Sequence, residues 1–146
     1  MREVEDGYYR KRREAFLAAL VARAPAATAA WAASDAVVTV DGAAPHGGPV
    51  STATLTDRKG QTFTLTNQQM AKGFRLLLAD RLAHRAATGI ENMSAKARDR
   101  VLVARSVHDA EAIEPGDLDQ VVQLALYGKI TWRTRAASTY PRKVRP

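Results

Sequence analysis

The stretch STATLTDRKGQTFTLTNQQM, residues 51–70, decides the fold. Ser51–Thr56 and Gln61–Leu65 alternate in character on either side of Asp57-Arg58-Lys59-Gly60, which is the pattern of two antiparallel strands joined by a tight hairpin. Thr52, Thr54 and Thr56 make one β-favouring row and Thr62, Thr64 and Thr66 a second, while Leu55, Phe63 and Leu65 supply the apolar positions of a half-buried ribbon. At Thr66 the period changes. Thr66-Asn67-Gln68-Gln69 has capping-box spacing, with Leu65 and Met70 placed as its hydrophobic staple. A helix to about Ala87 is predicted, burying Met70, Phe74, Leu77, Leu78 and Leu82 and stopping at Gly89.

Outward from this centre, residues from about Val4 to Ala24 carry Tyr9, Phe16, Leu17, Leu20 and Ala24 on one helical stripe. Pro25 is expected to interrupt that helix, and the Ala-rich stretch to Ala33 to restart as a second short one anchored by Trp31. The stripe of Tyr9, Phe16 and Leu20 is buried either by the chain's own core or by a partner, so these three are the candidate partner-binding residues. Val37–Val40 reads as a short strand and Asp41 to Pro49 as a Gly/Pro loop. Ser94 is placed to cap a helix to about Ala112. Asp117-Leu118-Asp119-Gln120 repeats the capping-box pattern for a helix ending at Gly128, and Lys129-Ile130-Thr131-Trp132-Arg133 alternates like a strand that joins the sheet. The expected class is α+β: an N-terminal helix, a small antiparallel sheet, two to three C-terminal helices and a basic tail. The expected segments are an N-terminal helical part (1–33), a compact domain (34–134) and a flexible basic tail (135–146).

A chain of 146 residues with 46% apolar side chains can build one ordinary core. The absence of cysteine excludes disulfides, thiolate metal sites and cysteine nucleophiles. Arg10–Arg13 before the apolar run Ala15–Ala22 mimics a targeting signal, but Glu3, Glu5, Asp6 and Glu14 sit where such signals avoid acid, which favours a structural helix. No stretch approaches the roughly 20 apolar residues of a membrane span. The expectation is a soluble protein without membrane contact, cytoplasmic or within a virion.

Charge is uneven. Residues 129–146 carry Lys129, Arg133, Arg135, Arg142, Lys143 and Arg145 and no acid, six of the formal net charge of +7. Clustered cations of this kind release counterions from phosphate and steer encounters with polyanions. Arg58 and Lys59 at the hairpin tip, Lys72 and Arg75 beside the apolar stripe of the central helix, and Arg98 and Arg105 seven residues apart extend the candidate nucleic-acid-binding set. Tyr140, between the tail cations, is placed to stack on an unpaired base. Two helices around Glu114-Pro115-Gly116 invite a helix-turn-helix reading, yet Asp117 and Asp119 would meet phosphates and no Arg or Lys is offered to guanine. The histidines His46, His84 and His108 belong to no recognisable catalytic or metal set, and there is no phosphate loop. The reading is a non-enzymatic protein without cofactor or metal.

Asp117 to Trp132, an acid-capped helix with a glutamine that ends in aromatic-Gly and a brief strand, resembles a pattern in short uncharacterised proteins of phages that infect high-GC bacteria. Thr64 to Leu78, a strand leading into a capped helix with Gly-Phe, is similar to the segment upstream in those proteins. The resemblance covers under a third of the chain and carries no catalytic residues. The chain departs from those proteins in its long N-terminal helix and its basic tail. The resemblance implies an accessory or assembly protein of phage or mobile-element origin, and the charge of the tail points to contact with nucleic acid or another acidic surface. The alternatives are a structural subunit that docks to a protein partner or a second copy through its N-terminal helix, and a small enzyme without a known motif.

Overall fold

The computed structural model describes residues 2–82 and 93–132, and the fold is α+β, with four α-helices and a small antiparallel sheet of four strands. Helix α1 (Arg2–Ala27) runs through Pro25 rather than stopping there. The proline lies in the last turn, so the N–H that it lacks and the crowding of its ring against the preceding turn fall at the helix end and break no later turn, and Thr28 ends the helix by giving both its N–H and its hydroxyl to Ala24 O at 2.9 Å. The expected second helix does not form. The amides of Trp31 and Ala32 close a turn onto Thr28 O, which sinks Trp31 into the core, and the chain enters strand β1 (Ala32–Ser34).

Strands β1 and β2 (Val38–Val40) both pair with one edge of β3 (Val50–Asp57), and β4 (Thr62–Thr66) pairs with the other. Ser34 faces Leu55 and Val38 faces Thr52, so one extra residue lies between β1 and β2, as in a bulge. The hairpin forms as its alternation predicts: Asp57 Oδ1 accepts the amides of Lys59 and Gln61, and Gly60 takes the left-handed φ of 84° that the turn requires. Ala53 and Leu55 are buried under the helices. The two threonine rows pair across the strands as Thr52–Thr66, Thr54–Thr64 and Thr56–Thr62 on the opposite face.

Helix α2 (Asn67–Leu82) begins where Thr66 Oγ1 accepts the Gln69 amide at 3.2 Å, with Leu65 and Met70 both buried. Only half of the capping box is made, because the Gln69 side chain reaches away to Ala125 O at 3.0 Å. Met70, Phe74 and Leu77 are buried and Leu78 is partly so. The predicted continuation to Ala87 lies outside the described residues. Gly73 lets α2 approach α4 closely, since a Cβ there would sit 2.8 Å from Val121 O.

Helix α3 (Ala95–Ser106) is capped by Ser94 as expected but ends six residues before Ala112. His108 adopts φ 55°, and a short 3-10 turn follows at Ala110–Ala112. Arg23 of α1 fixes that turn by donating to Ala110 O at 2.6 Å and Ile113 O at 2.7 Å. Helix α4 (Pro115–Tyr127) ends at Gly128 with φ 78°, as predicted. Its start is different. Glu114 is the N-cap and makes no side-chain cap bond, while Asp117 bonds twice to Arg100 at 3.0 and 3.2 Å and Asp119 is buried against Trp31. Pro115 supplied the true start signal, because its missing N–H costs nothing in the first turn. Residues 129–132 form no strand.

One hydrophobic cluster takes Phe16, Leu20 and Val21 from α1, Leu55 and Leu65 from the sheet, Phe74 from α2, Val101 from α3 and Leu118 and Val122 from α4. The 1–33 segment therefore shares its core with residues 34–132. Phe16 and Leu20 are buried in that core, so of the three candidate partner-binding residues Tyr9 alone is exposed, at 54%. No helix among the described residues is long and apolar enough to cross a membrane.

Candidate nucleic-acid interface

The descending end of α4 carries a polar set that nothing in the strand-like pattern of 129–133 anticipated. Gln123, fully buried, points its amide at the chain after Gly128. Its Oε1 accepts the amides of Thr131 at 2.8 Å and Trp132 at 2.6 Å, and its Nε2 donates to Trp132 O at 2.9 Å. One side chain thus supplies the bonds that a neighbouring strand would have supplied. Gln123 Nε2 also lies 3.3 Å from Asp119 Oδ1, which accepts the Trp31 indole N–H at 2.6 Å. Asp119 Oδ2 is buried with no hydrogen-bond partner among the described residues, and burial pushes this carboxyl above its ordinary value despite the Trp31 and Gln123 bonds.

The Trp132 ring lies parallel to Trp31, with centroids 6.2 Å apart, and its indole N–H donates to the Tyr127 hydroxyl at 3.1 Å. That hydroxyl donates to Asp57 Oδ2 at 2.6 Å, and Phe63 meets the Tyr127 ring edge-on at 5.0 Å. The Tyr127 bond holds the Asp57 carboxyl below its usual value, with the turn amides of Gln61 and Lys59 adding to it against the cost of burial. Burial, followed by the Asp57 bond, pushes Tyr127 up to about 12, so both groups keep one protonation state across physiological pH.

This layer ties the root of the basic tail to the hairpin tip. The Arg58 guanidinium sits 6.0 Å from the Trp132 ring centroid and donates to Ala30 O at 2.5 Å, which orients it, and Lys59 beside it is exposed. The juxtaposition of Arg58 and Lys59 with the tail root is the strongest grouping among the residues singled out from sequence. Arg133, Arg135, Tyr140, Arg142, Lys143 and Arg145 lie outside the described residues.

The other candidates do not form one surface. Arg98 is only 13% exposed and bonds Asp99 at 3.2 Å, so it does not share an open face with Arg105. Lys72 and Arg75 are exposed on α2, where Arg75 lines an open cleft of about 340 Å³ with Arg13, Glu14, Asn67 and Gln68. Asn67 walls that cleft and is fully engaged, accepting from the Ser51 amide and donating to Pro49 O and to Glu14.

A second basic grouping was missed from sequence. Arg12 of α1 donates to Val107 O at 3.3 Å, which places it over the end of α3 beside His108. The His108 ring lies 5.0 Å from Tyr9 and 5.8 Å from Phe16. Burial, and then the charges of Arg12, Arg105 and Arg13, hold its pKa below 6.5. The available signal was the run Arg10–Arg13, which sequence patterning absorbed into the N-terminal helix. Among the described residues there is no group of three metal-ligating side chains.

Comparison with family models, curated proteins and solved structures yields no match to this chain.

Proposed function

We propose that the protein is a non-enzymatic accessory or assembly protein, of phage or mobile-element type, that engages nucleic acid with its basic C-terminal segment and the hairpin tip acting together. The observation that carries this reading is the anchoring of Trp132 beneath Arg58 by Gln123 and Tyr127. Residues 133–146, with five Arg or Lys and no acid, continue directly from that anchored point. An anchored root costs less ordering entropy on binding than a tail attached to a loose linker, and it keeps Arg58 and Lys59 within reach of the same phosphate path. The alternative of docking to a protein through α1 loses support, because Phe16 and Leu20 of its stripe are inside the core.

Fluorescence anisotropy with labelled duplex and single-stranded oligonucleotides, over a salt series, tests this. The intact chain is expected to bind at low salt with little sequence preference. Replacing Arg133, Arg135, Arg142, Lys143 and Arg145 by Gln is expected to reduce the slope of log K against log salt by up to about 4.5 for duplex DNA. Absence of binding at low salt, or an unchanged slope in the neutralised variant, overturns the reading.

A further inference from the structure

The end of α3 is closed by a Schellman arrangement. The Asp109 amide bonds Ala104 O at 2.9 Å and the His108 amide bonds Arg105 O at 3.1 Å, with His108 at the left-handed position. Glycine is the usual occupant there, because a Cβ makes that conformation unfavourable. Here a histidine holds it, and its half-buried ring is clamped against Tyr9 and Phe16. The residue that ends the helix therefore also fixes an imidazole in a defined place. Around it stand Arg12 and Arg13 of α1 and Arg105 of α3; Asp109, next in the chain, is exposed. Arg13 has Glu14 at 3.4 Å, whereas Arg12 and Arg105 make no ion pair with an acid among the described residues. Arg12 is met by the Val107 carbonyl and the Tyr8 ring, and Arg105 by the carbonyl end of its own helix, so among the described residues these two guanidinium groups beside an imidazole face dipoles and no carboxylate partner.

We propose that Arg12, Arg105 and His108, flanked by Arg13, form a phosphate-binding notch that takes a phosphodiester group of the nucleic acid engaged by the tail. The proposal rests on the nucleic-acid reading for its source of phosphate, not for its geometry. The guanidinium groups supply paired donors to phosphate oxygens. The imidazole adds one N–H donor when neutral, and a second with a positive charge once it is protonated. In the empty notch, burial and the neighbouring cations disfavour the imidazolium; a bound phosphate reverses the field and favours it. Protons are then taken up on binding, so affinity rises as pH falls through the range between the free and bound pKa of His108, by at most tenfold per pH unit.

The test follows the His108 ring signals by NMR through a pH titration of the full chain, alone, with a short oligonucleotide and with inorganic phosphate. Salt slopes are measured in parallel for Arg12→Gln, Arg105→Gln and His108→Asn; asparagine tolerates the left-handed backbone, so the last variant keeps the helix end. The expected result is a His108 pKa raised by the oligonucleotide, a slope reduced by about 0.9 for each arginine removed, and loss of the pH dependence in His108→Asn. Oligonucleotide binding with its slope and pH dependence unchanged in all three variants overturns the notch and leaves the tail reading standing. If the intact chain binds no oligonucleotide, the tail reading falls and inorganic phosphate decides the notch: a raised His108 pKa supports it as a phosphate site, and an unchanged one overturns it.

Discussion

Gln123 holds Trp132 by both ends of one amide group: Oε1 accepts the Trp132 N–H at 2.6 Å, and Nε2 donates to the Trp132 carbonyl at 2.9 Å. A helix side chain thereby does for one residue what a sheet edge does for a strand. The segment before the basic tail can be extended and ordered without joining the sheet.

Gln123→Ala is expected to destabilise the protein by about 1–3 kcal/mol, because it strands the buried partners of the amide. Hydrogen exchange gives the sharper check. The Thr131 and Trp132 amides should lose protection while those of α4 up to Leu124 keep theirs. Retained protection at Trp132 would show that another group holds it.

The carboxyl of Asp119 predicts a pH dependence with a definite sign. Its folded pKa is raised by burial above the ordinary 3.8, so ionisation costs stability at neutral pH and that cost is relieved as pH falls through the folded value. Asp57 acts in the opposite direction: its pKa is lowered, and its contribution is lost only as pH falls below 3.8 through its folded value. Asp119→Asn keeps an acceptor for Trp31 and removes the charge. The stability of the natural chain relative to this variant should therefore increase from pH 7 towards pH 4, by about 1.4 kcal/mol for each unit by which the Asp119 pKa is raised. Denaturant midpoints for the pair at several pH values measure this, and a constant difference would place the ionised Asp119 in a compensated site.

Gly73→Ala should cost about 1–3 kcal/mol despite the better helix propensity of alanine. The added Cβ would lie 2.8 Å from Val121 O and 3.2 Å from Ala125 Cβ, and the carbonyl belongs to a helix backbone that cannot turn aside. A gain in denaturation midpoint would mean that α2 and α4 separate more easily than their packing indicates.

Thr66→Ala removes the acceptor of the Gln69 amide and should cost about 0.5–2 kcal/mol. Because Gln69 does not complete the box, Gln69→Glu should not strengthen the cap; its effect should instead appear at the Ala125 contact. Equilibrium denaturation of both variants separates the two.

Leu20 and Leu118 are both fully buried in the shared core, so Leu20→Ala and Leu118→Ala should each cost about 2–5 kcal/mol. Both losses should fall in one unfolding transition seen alike by fluorescence and far-UV circular dichroism. A separate early transition in Leu20→Ala would divide α1 from the rest of the fold.

The elements that sequence determined by itself were those set by short-range physics. The hairpin follows from alternation across Asp57–Gly60, the starts of α2 and α3 from the hydroxyls of Thr66 and Ser94, and the end of α4 from Gly128, because each depends on bonds within a few residues. Tertiary structure decided the rest. The short acidic patterns at Asp117 and Asp119 read as caps, yet their partners Arg100 and Trp31 lie 17 and 88 residues away in sequence. The Ala-rich stretch before Trp31 had helix propensity, but burying that indole and its N–H outweighed it. The basic tail was legible as charge; its anchoring at Trp132, and the meeting of Arg12, Arg105 and His108 across α1 and α3, depend on side chains brought together only when the core closes, and local pattern carries no information on that geometry.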